Sequence, residues 1–425
     1  MALSTVAMAQ VAPSPNTSKL IAAAGGNPQW ESTAAYIGAL CPNLTPGTDL
    51  RLRCAAALSA AATSPASANM ALDAITPEQI LAQGGVVDGT ISSATAAVAG
   101  RLSALSHIHI GGPVAAGYQP VLLATNGDTA GLGGLNASRL QGYVNIVGGT
   151  GKKDDNSIET GYGYNQESIS GGVDFRFSDR FTGGVSVSYG DTRLKFASNT
   201  GRMTADTWMG AVYGLWSLTD RIEVTGLVGF GDIDFSSDRH MDYAESATST
   251  IDRIAHGKST AQQWEGTLTV AYAMDAPRGW SYGPSLSVSG TTLHMDAFDE
   301  TGAQGLDLSY QKQSTDSLQF IVGFDISKAI STQFGVISPY ARVQSIYESL
   351  DDKRNVDIRY VADTTGFFPG IRLTTTAPDR SRFLLGGGIA GQFTRGWSSF
   401  ADAETIVGLR DTSGYTFTLG VRREF

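Results

Sequence analysis

Two rhythms of apolar residues meet near residue 140. Beyond it, apolar and polar positions alternate with a period of two. Clear runs are Gly172-Val-Asp-Phe-Arg-Phe177, Phe181-Thr-Gly-Gly-Val-Ser-Val-Ser-Tyr189, Arg221-Ile-Glu-Val-Thr-Gly-Leu-Val-Gly-Phe230 and Trp264-Glu-Gly-Thr-Leu-Thr-Val-Ala-Tyr272. Gly283-Pro-Ser-Leu-Ser-Val-Ser289, Leu318-Gln-Phe-Ile-Val-Gly-Phe-Asp-Ile326 and Gly414-Tyr-Thr-Phe-Thr-Leu-Gly-Val-Arg-Arg-Glu-Phe425 continue the pattern. Such alternation builds strands with one apolar and one polar face. The connections alternate as well. Short turns fall at 178–180, 219–220, 276–278, 328–332 and 394–396, with longer polar stretches at 240–256, 297–306 and 351–379. Short turns on one rim and long loops on the other are the plan of a transmembrane barrel. About twelve antiparallel strands are expected, starting near 141, 160, 181, 202, 221, 258, 279, 313, 334, 380, 396 and 413. The fold class is therefore an all-β transmembrane β-barrel preceded by a small α-helical N-terminal region. An all-β sandwich is the soluble alternative, but it gives no reason for so many long strands with one glycine-rich polar face.

The alternation also assigns side chains. Val173, Phe175, Phe177, Val185, Val187, Tyr189, Leu268, Val270, Tyr272, Phe320, Val322, Phe324, Phe417, Leu419 and Val421 fall on the lipid side. Asp174, Arg176, Glu223, Glu265, Asp325, Arg342, Asp402, Glu404 and Arg422 then face the lumen, where charge at bilayer depth is tolerated. Those charges read either as a lumen that grips a linker or passes polar solutes, or as a salt-bridge network that stiffens a narrow barrel.

Before residue 140 the pattern is helical. Segments 33–40 and 49–58 flank a turn holding Pro42, Pro46 and Gly47. Thr76-Pro-Glu-Gln79 has the form of a capped helix start, with a stop expected near Gly84-Gly85. Val87, Ile91, Ala94, Val98, Leu102 and Leu105 then make one apolar stripe. That helix, 86–106, either threads the lumen as a plug or packs on the preceding hairpin. The resulting division is 1–9, the remnant of a signal peptide; 10–110, a helical region acting as short passenger or plug; 111–139, a Gly-rich linker; and 140–425, the barrel.

Composition sharpens this picture. The chain has 425 residues, 42% of them apolar, and a mean hydropathy of −0.06. No apolar run approaches the roughly 20 residues of a spanning helix, but averaged hydropathy misses barrel strands. The net charge of −10 argues against a nucleic-acid binder. Ala7-Met-Ala9 has the form of an export cleavage site. In an exported chain the two cysteines, Cys41 and Cys54, read as one disulfide, worth about 3 kcal/mol on the chain-entropy model.

The end of the chain resembles the C-terminal signal of bacterial outer-membrane barrels: Tyr415, Phe417, Leu419, Val421 and Phe425 share one face and Phe425 carries the terminal carboxylate. Arg423 departs from that signal, which more often has an apolar residue there. Further segments are Gly161-Tyr-Gly-Tyr164, Ser170-Gly-Gly-Val-Asp-Phe-Arg-Phe-Ser-Asp-Arg180, Gly183-Gly-Val-Ser-Val-Ser-Tyr189, Asp296-Ala-Phe-Asp-Glu-Thr-Gly-Ala303, Pro339-Tyr-Ala-Arg342 and Phe400-Ala-Asp402. On these residues, 140–425 resembles an autotransporter β-domain, the translocator of type V secretion. The resemblance implies an outer-membrane barrel that translocates or displays its N-terminal segment at the cell surface. It implies contact with outer-membrane lipid, insertion by the barrel-assembly machinery and periplasmic chaperones, and a monomer, with a larger envelope complex as the alternative. The family usually carries a large passenger; here only about 130 residues precede the barrel. A porin-like or structural barrel with a periplasmic or plugging N-terminal region is the second reading.

Catalytic chemistry finds little footing. There is no G-x-S-x-G and no Gly-Asp-Ser-Leu. Gly148-Gly-Thr-Gly-Lys152-Lys153 imitates a phosphate loop without its spacing and reads as the start of a loop. His107 and His109, or His240 and His256, are weak metal candidates, and Asp299 and Glu300 read as a solvated loop. No catalytic residue, metal or cofactor is expected, and the chain is not expected to be an enzyme.

Overall fold

The computed structural model of the protein describes residues 13–82 and 139–425, apart from 157, 247–248, 351–352, 365–369 and 377–378. Twelve long strands dominate it. They are β1 Leu140–Lys153, β2 Tyr162–Ser178, β3 Phe181–Phe196, β4 Gly201–Ser217, β5 Ile222–Ser246 and β6 Ser249–Tyr272. They continue as β7 Trp280–Met295, β8 Gln313–Lys328, β9 Gly335–Glu348, β10 Ser381–Phe393, β11 Trp397–Val407 and β12 Thr412–Glu424. Each is antiparallel to the next. The last strand pairs with the first from Gln141↔Glu424 to Lys153↔Thr412, so the sheet closes into a twelve-stranded barrel. Closure leaves no strand edge for lipid to solvate.

Alternation fixes which side each residue faces. Val173, Val185, Val187, Leu268, Val322, Phe417 and Leu419 are among the exposed large apolar residues of the outer surface. In water they would aggregate; against lipid tails they are in their proper solvent. Tyr189 is half-buried on the same face, its ring 5.0 Å from that of Trp208. No described helix is long and apolar enough to cross a membrane, which says nothing about strands.

The two rims differ. Turns after β2, β4, β6, β8 and β10, together with both barrel ends, form the short-turn rim. The opposite rim carries the long connections. There β5 and β6, 25 and 24 residues long, run well past the roughly 10 residues a membrane strand needs. The stretch 240–256, expected as a loop, is therefore the projecting end of this hairpin. The Gly-rich stretch 148–153 is likewise no loop start, since Gly148 pairs with both Phe417 and Glu167 inside β1. The connections 296–312 and 349–380 add a separate four-stranded sheet, Phe298–Asp299, Leu308–Tyr310, Asn355–Tyr360 and Ile371–Thr374.

Among the described residues four helices precede the barrel: α1 Pro15–Ala23, α2 Pro28–Leu40, α3 Asp49–Thr63 and α4 Pro65–Ile75. Three of them start on proline, with Ser14, Asn27 and Ser64 accepting first-turn N–H groups. Proline costs nothing at a position whose N–H has no helical partner, and the cap satisfies the others. Cys41 and Cys54 are disulfide-bonded across the α2–α3 turn, Cα atoms 5.7 Å apart. Thr76 does not start a helix. It ends α4, its hydroxyl donating to that of Thr33, and a 3-10 turn, Glu78–Ala82, follows. The expected stop near Gly84-Gly85, the helix 86–106, the linker and the export-signal remnant lie outside the described residues.

The two regions are expected to come apart in unfolding. Replacing Cys41 and Cys54 by serine should destabilise the helices by about 3 kcal/mol. The barrel should keep its heat-dependent gel mobility, because the disulfide touches no barrel strand pairing. Circular dichroism melting alongside gel mobility measures both.

Candidate functional site

The helices pack on the long-loop rim. Their buried residues form one cluster with the outer sheet and the projecting hairpin, including Leu20, Tyr36, Ile37, Leu72 and Ile75 with Met241, Ile251, Leu308, Ile358, Tyr360, Ile371 and Leu373. The helices and the rim's own loops thus form one cap. Glycine makes the closest approach possible: a Cβ on Gly305 would lie 2.4 Å from the Leu50 amide nitrogen.

Polar contacts fix the cap's orientation. The Gln29 side chain acts as an extra strand residue at the sheet edge, donating to the Thr374 carbonyl and accepting the Thr374 N–H at 3.0 Å. The Arg372 N–H donates to Ser32 Oγ, and the Tyr36 hydroxyl donates to Asp363 at 2.8 Å while its ring stacks on Tyr360. Both nitrogens of the Arg253 fork reach Asp49, which also accepts the Gly305 N–H. Bidentate pairs of this kind set direction as well as energy.

Beneath the cap, Glu300 is 3% exposed and takes both Nε and Nη2 of Arg239, the Tyr310 hydroxyl and the Leu308 N–H. Reading Glu300 as a solvated loop residue was therefore wrong. It is the buried anion that ties the outer sheet to the hairpin, and its unpaired burial would be costly. Asp299 is exposed. His240 and His256 each pair with an aspartate, Asp252 and Asp238, on the hairpin surface. His107 and His109 lie outside the described residues.

The lumen changes character along its length. Just below the cap it is apolar: Leu194, Phe196, Met203, Ile233, Phe235, Leu293 and Met295 cluster with Ala82, the last described residue of the helical region. Deeper, it is polar. Arg342 pairs with Asp402 at 2.7 Å and with Glu404, and Tyr340 donates to Asp402 at 2.7 Å. Asp325 is Arg342's register partner. Tyr213 donates to Asp174 at 3.4 Å, Ser217 to Glu223 at 3.2 Å and Arg422 to Glu424 at 2.9 Å. Glu265 is buried and Arg176 half-buried on this inner face. Of these ten named charges, seven are carboxylates and three guanidiniums. On the terminal strand, Tyr415, Phe417, Leu419, Val421 and Phe425 are 48–67% exposed on the outer face.

Sequence reasoning missed the cap contacts, because Gln29 and Thr374, or Asp49 and Arg253, lie hundreds of residues apart.

Comparison with known proteins follows the same lines. Residues 142–404 match the family model described as "Autotransporter beta-domain". The translocator domain of autotransporter NalP from Neisseria meningitidis has a TM-score of 0.53 at 16% identity, spanning 68% of this chain and 90% of that one. The beta domain of the Bordetella autotransporter Brka gives 0.47 at 14% identity, with 68% and 100% covered. The transport unit of AIDA-I from Escherichia coli gives 0.44 at 15%, with 69% and 93% covered. A search of curated proteins returned no match.

The seat of the cap is predicted to depend on pH. Glu78, between Trp30 Nε1 and the Thr160 hydroxyl and near Asp73, is raised from 4.5 to about 7, chiefly by burial. Asp73 is itself raised by burial and by Asp155. Because the seated Glu78 pKa lies above its free value, its contribution is full below pH 4.5 and is lost as pH rises through about 7. Asp49 has the opposite sign: its hydrogen bond to Arg253 lowers it, so its contribution holds above 3.8 and is lost as pH falls through the lowered value. Limited proteolysis of the helices should be faster at about pH 8 than at about pH 5, and Glu78→Gln should flatten the difference. Equal rates in the native protein would contradict this.

Proposed function

The chain belongs to the autotransporter β-domain family, and on that premise we propose that its outer-membrane barrel displays the helical region 13–82 at the cell surface as a docked cap. The observation that carries this reading is the docking of α1–α4 on the long-loop rim, while Leu140 begins β1 at the short-turn rim. In outer-membrane barrels the long loops face outward and the short turns face the periplasm. The chain between Ala82 and Arg139 must therefore pass from one side of the membrane to the other. A path through lipid would leave polar backbone without partners, so the route is the lumen. The 56 residues of 83–138 suffice, since about 20 helical residues cross a bilayer core.

The helices complete their apolar core only against the rim. That fits a segment which crosses the barrel unfolded and folds on arrival. The lumen charges Asp174, Arg176, Glu223, Glu265, Asp325, Arg342, Asp402, Glu404 and Arg422 are read as part of the lining this segment passes. The outer face of β12, from Tyr415 to Phe425, is read as the assembly signal, with the barrel-assembly machinery and periplasmic chaperones as partners. The barrel is read as a monomer.

A protease site introduced near residue 60 should be cut by added protease on intact cells. Cutting only after the outer membrane is opened would place the helices in the periplasm and overturn display. Deleting 13–138 should turn a closed barrel into a conducting pore. Because carboxylates outnumber guanidiniums among the named lumen charges, that pore should prefer cations, as reversal potentials in a planar bilayer will show.

A further inference from the structure

The short-turn rim contains the same small constellation twice. One copy is Arg278-Gly279-Trp280, the other Arg395-Gly396-Trp397. Both are the ends of three-residue turns, Pro277–Gly279 and Thr394–Gly396. In both the arginine has positive φ, 68° at Arg278 and 65° at Arg395, and the following glycine does too, 78° and 74°. Left-handed backbone is natural for glycine and asparagine and disfavoured for a long L side chain. A turn chosen for stability alone would not hold arginine at that position twice.

What surrounds each arginine is also repeated. Trp280 and Trp397 each open a strand and are 41% and 42% exposed on the lipid side. The register partner of Trp280 is Lys328, and that of Trp397 is Arg423. In each case the partner's cation lies over the indole, 5.2 Å from its centroid. Arg423 also lies 5.5 Å from the Phe425 ring. Each copy thus holds an indole at the membrane boundary and two cations, one from the turn and one from the next strand. Arg278, Arg395 and Arg423 are exposed and Lys328 half-exposed. Of the acids nearby, Glu424 accepts from Arg422.

We infer that these are two equivalent sites for the phosphodiester headgroup of anionic phospholipid in the membrane leaflet at this rim. The tryptophans mark the depth at which headgroups lie. Directly beyond them along the strands stand the apolar outer residues Ile326 and Phe324 at one site, Val421 and Leu419 at the other, all exposed for acyl chains. A paired cation and arginine suit a phosphate. The departure of Arg423 from the apolar residue expected near the end of an outer-membrane barrel gains a purpose here. The inference uses the family reading only to name the leaflet as the periplasmic one.

Native mass spectrometry of the full-length protein in detergent, titrated with phosphatidylglycerol or phosphatidylethanolamine, tests this. Two phosphatidylglycerol molecules should bind, each at least about fivefold tighter than phosphatidylethanolamine. Arg278→Asn with Lys328→Gln should remove one of the two, Arg395→Asn with Arg423→Gln the other, and all four changes both. Asparagine tolerates the left-handed turn, so the variants should keep the heat-dependent gel mobility of the barrel. Equal binding of the two lipids, or two retained phosphatidylglycerol molecules in the folded fourfold variant, would overturn the inference. The assay reads lipid alone, so it is indifferent to which side of the membrane the helices occupy.

Discussion

The structure depends on one closure, the pairing of β12 with β1. A sheet in hydrocarbon cannot leave a row of unpaired N–H and C=O groups, so the ends of the barrel must meet. They do so over thirteen register pairs, from Gln141↔Glu424 to Lys153↔Thr412. Everything else follows from the closed wall. Alternate side chains are committed to lipid or to lumen. The helical region and the first strand are attached to opposite rims.

The cap is the second consequence. Its buried cluster joins Leu20, Tyr36, Ile37, Leu40, Leu72 and Ile75 of the helices, with alanines packed between them, to Leu308, Tyr310, Ile358, Tyr360, Ile371 and Leu373 of the rim. Both sides bury large apolar side chains in one shared core, so part of the helices' stability comes from what they rest on. The polar contacts then decide orientation. Gln29 extends the outer sheet, the Asp49–Arg253 fork grips the hairpin, and Glu300 with Arg239 holds the platform together.

Much of this architecture was legible in the residues, and the failures have physical causes. The strand starts agree with the pattern to within two residues except for β6, expected near 258 and beginning at Ser249. There the hairpin leaves the membrane. Asp238, His240, Asp252 and His256 are polar on a strand that no longer touches lipid, so the contrast between faces fades. Glu300 was misread because its partner Arg239 lies 61 residues away and no local spacing announces it. The capped start read at Thr76-Pro77 failed, because Thr76 instead ends α4, while the helices begin at Pro15, Pro28 and Pro65. The docking of the helices was not visible at all, since it rests on contacts between segments from about 80 to more than 300 residues apart.

The central claim is that the helices sit on the outer rim in living cells. The most direct test uses the contact between Ser32 and Arg372, where the Arg372 N–H meets Ser32 Oγ at 2.8 Å. With cysteine at both positions, a short bifunctional thiol reagent that cannot cross membranes is added to intact cells. The account predicts that the two positions become cross-linked without opening the outer membrane, seen as a shifted band after cleavage of the chain between them. A cross-link that forms only in permeabilised cells, or none at all in the folded protein, would contradict it.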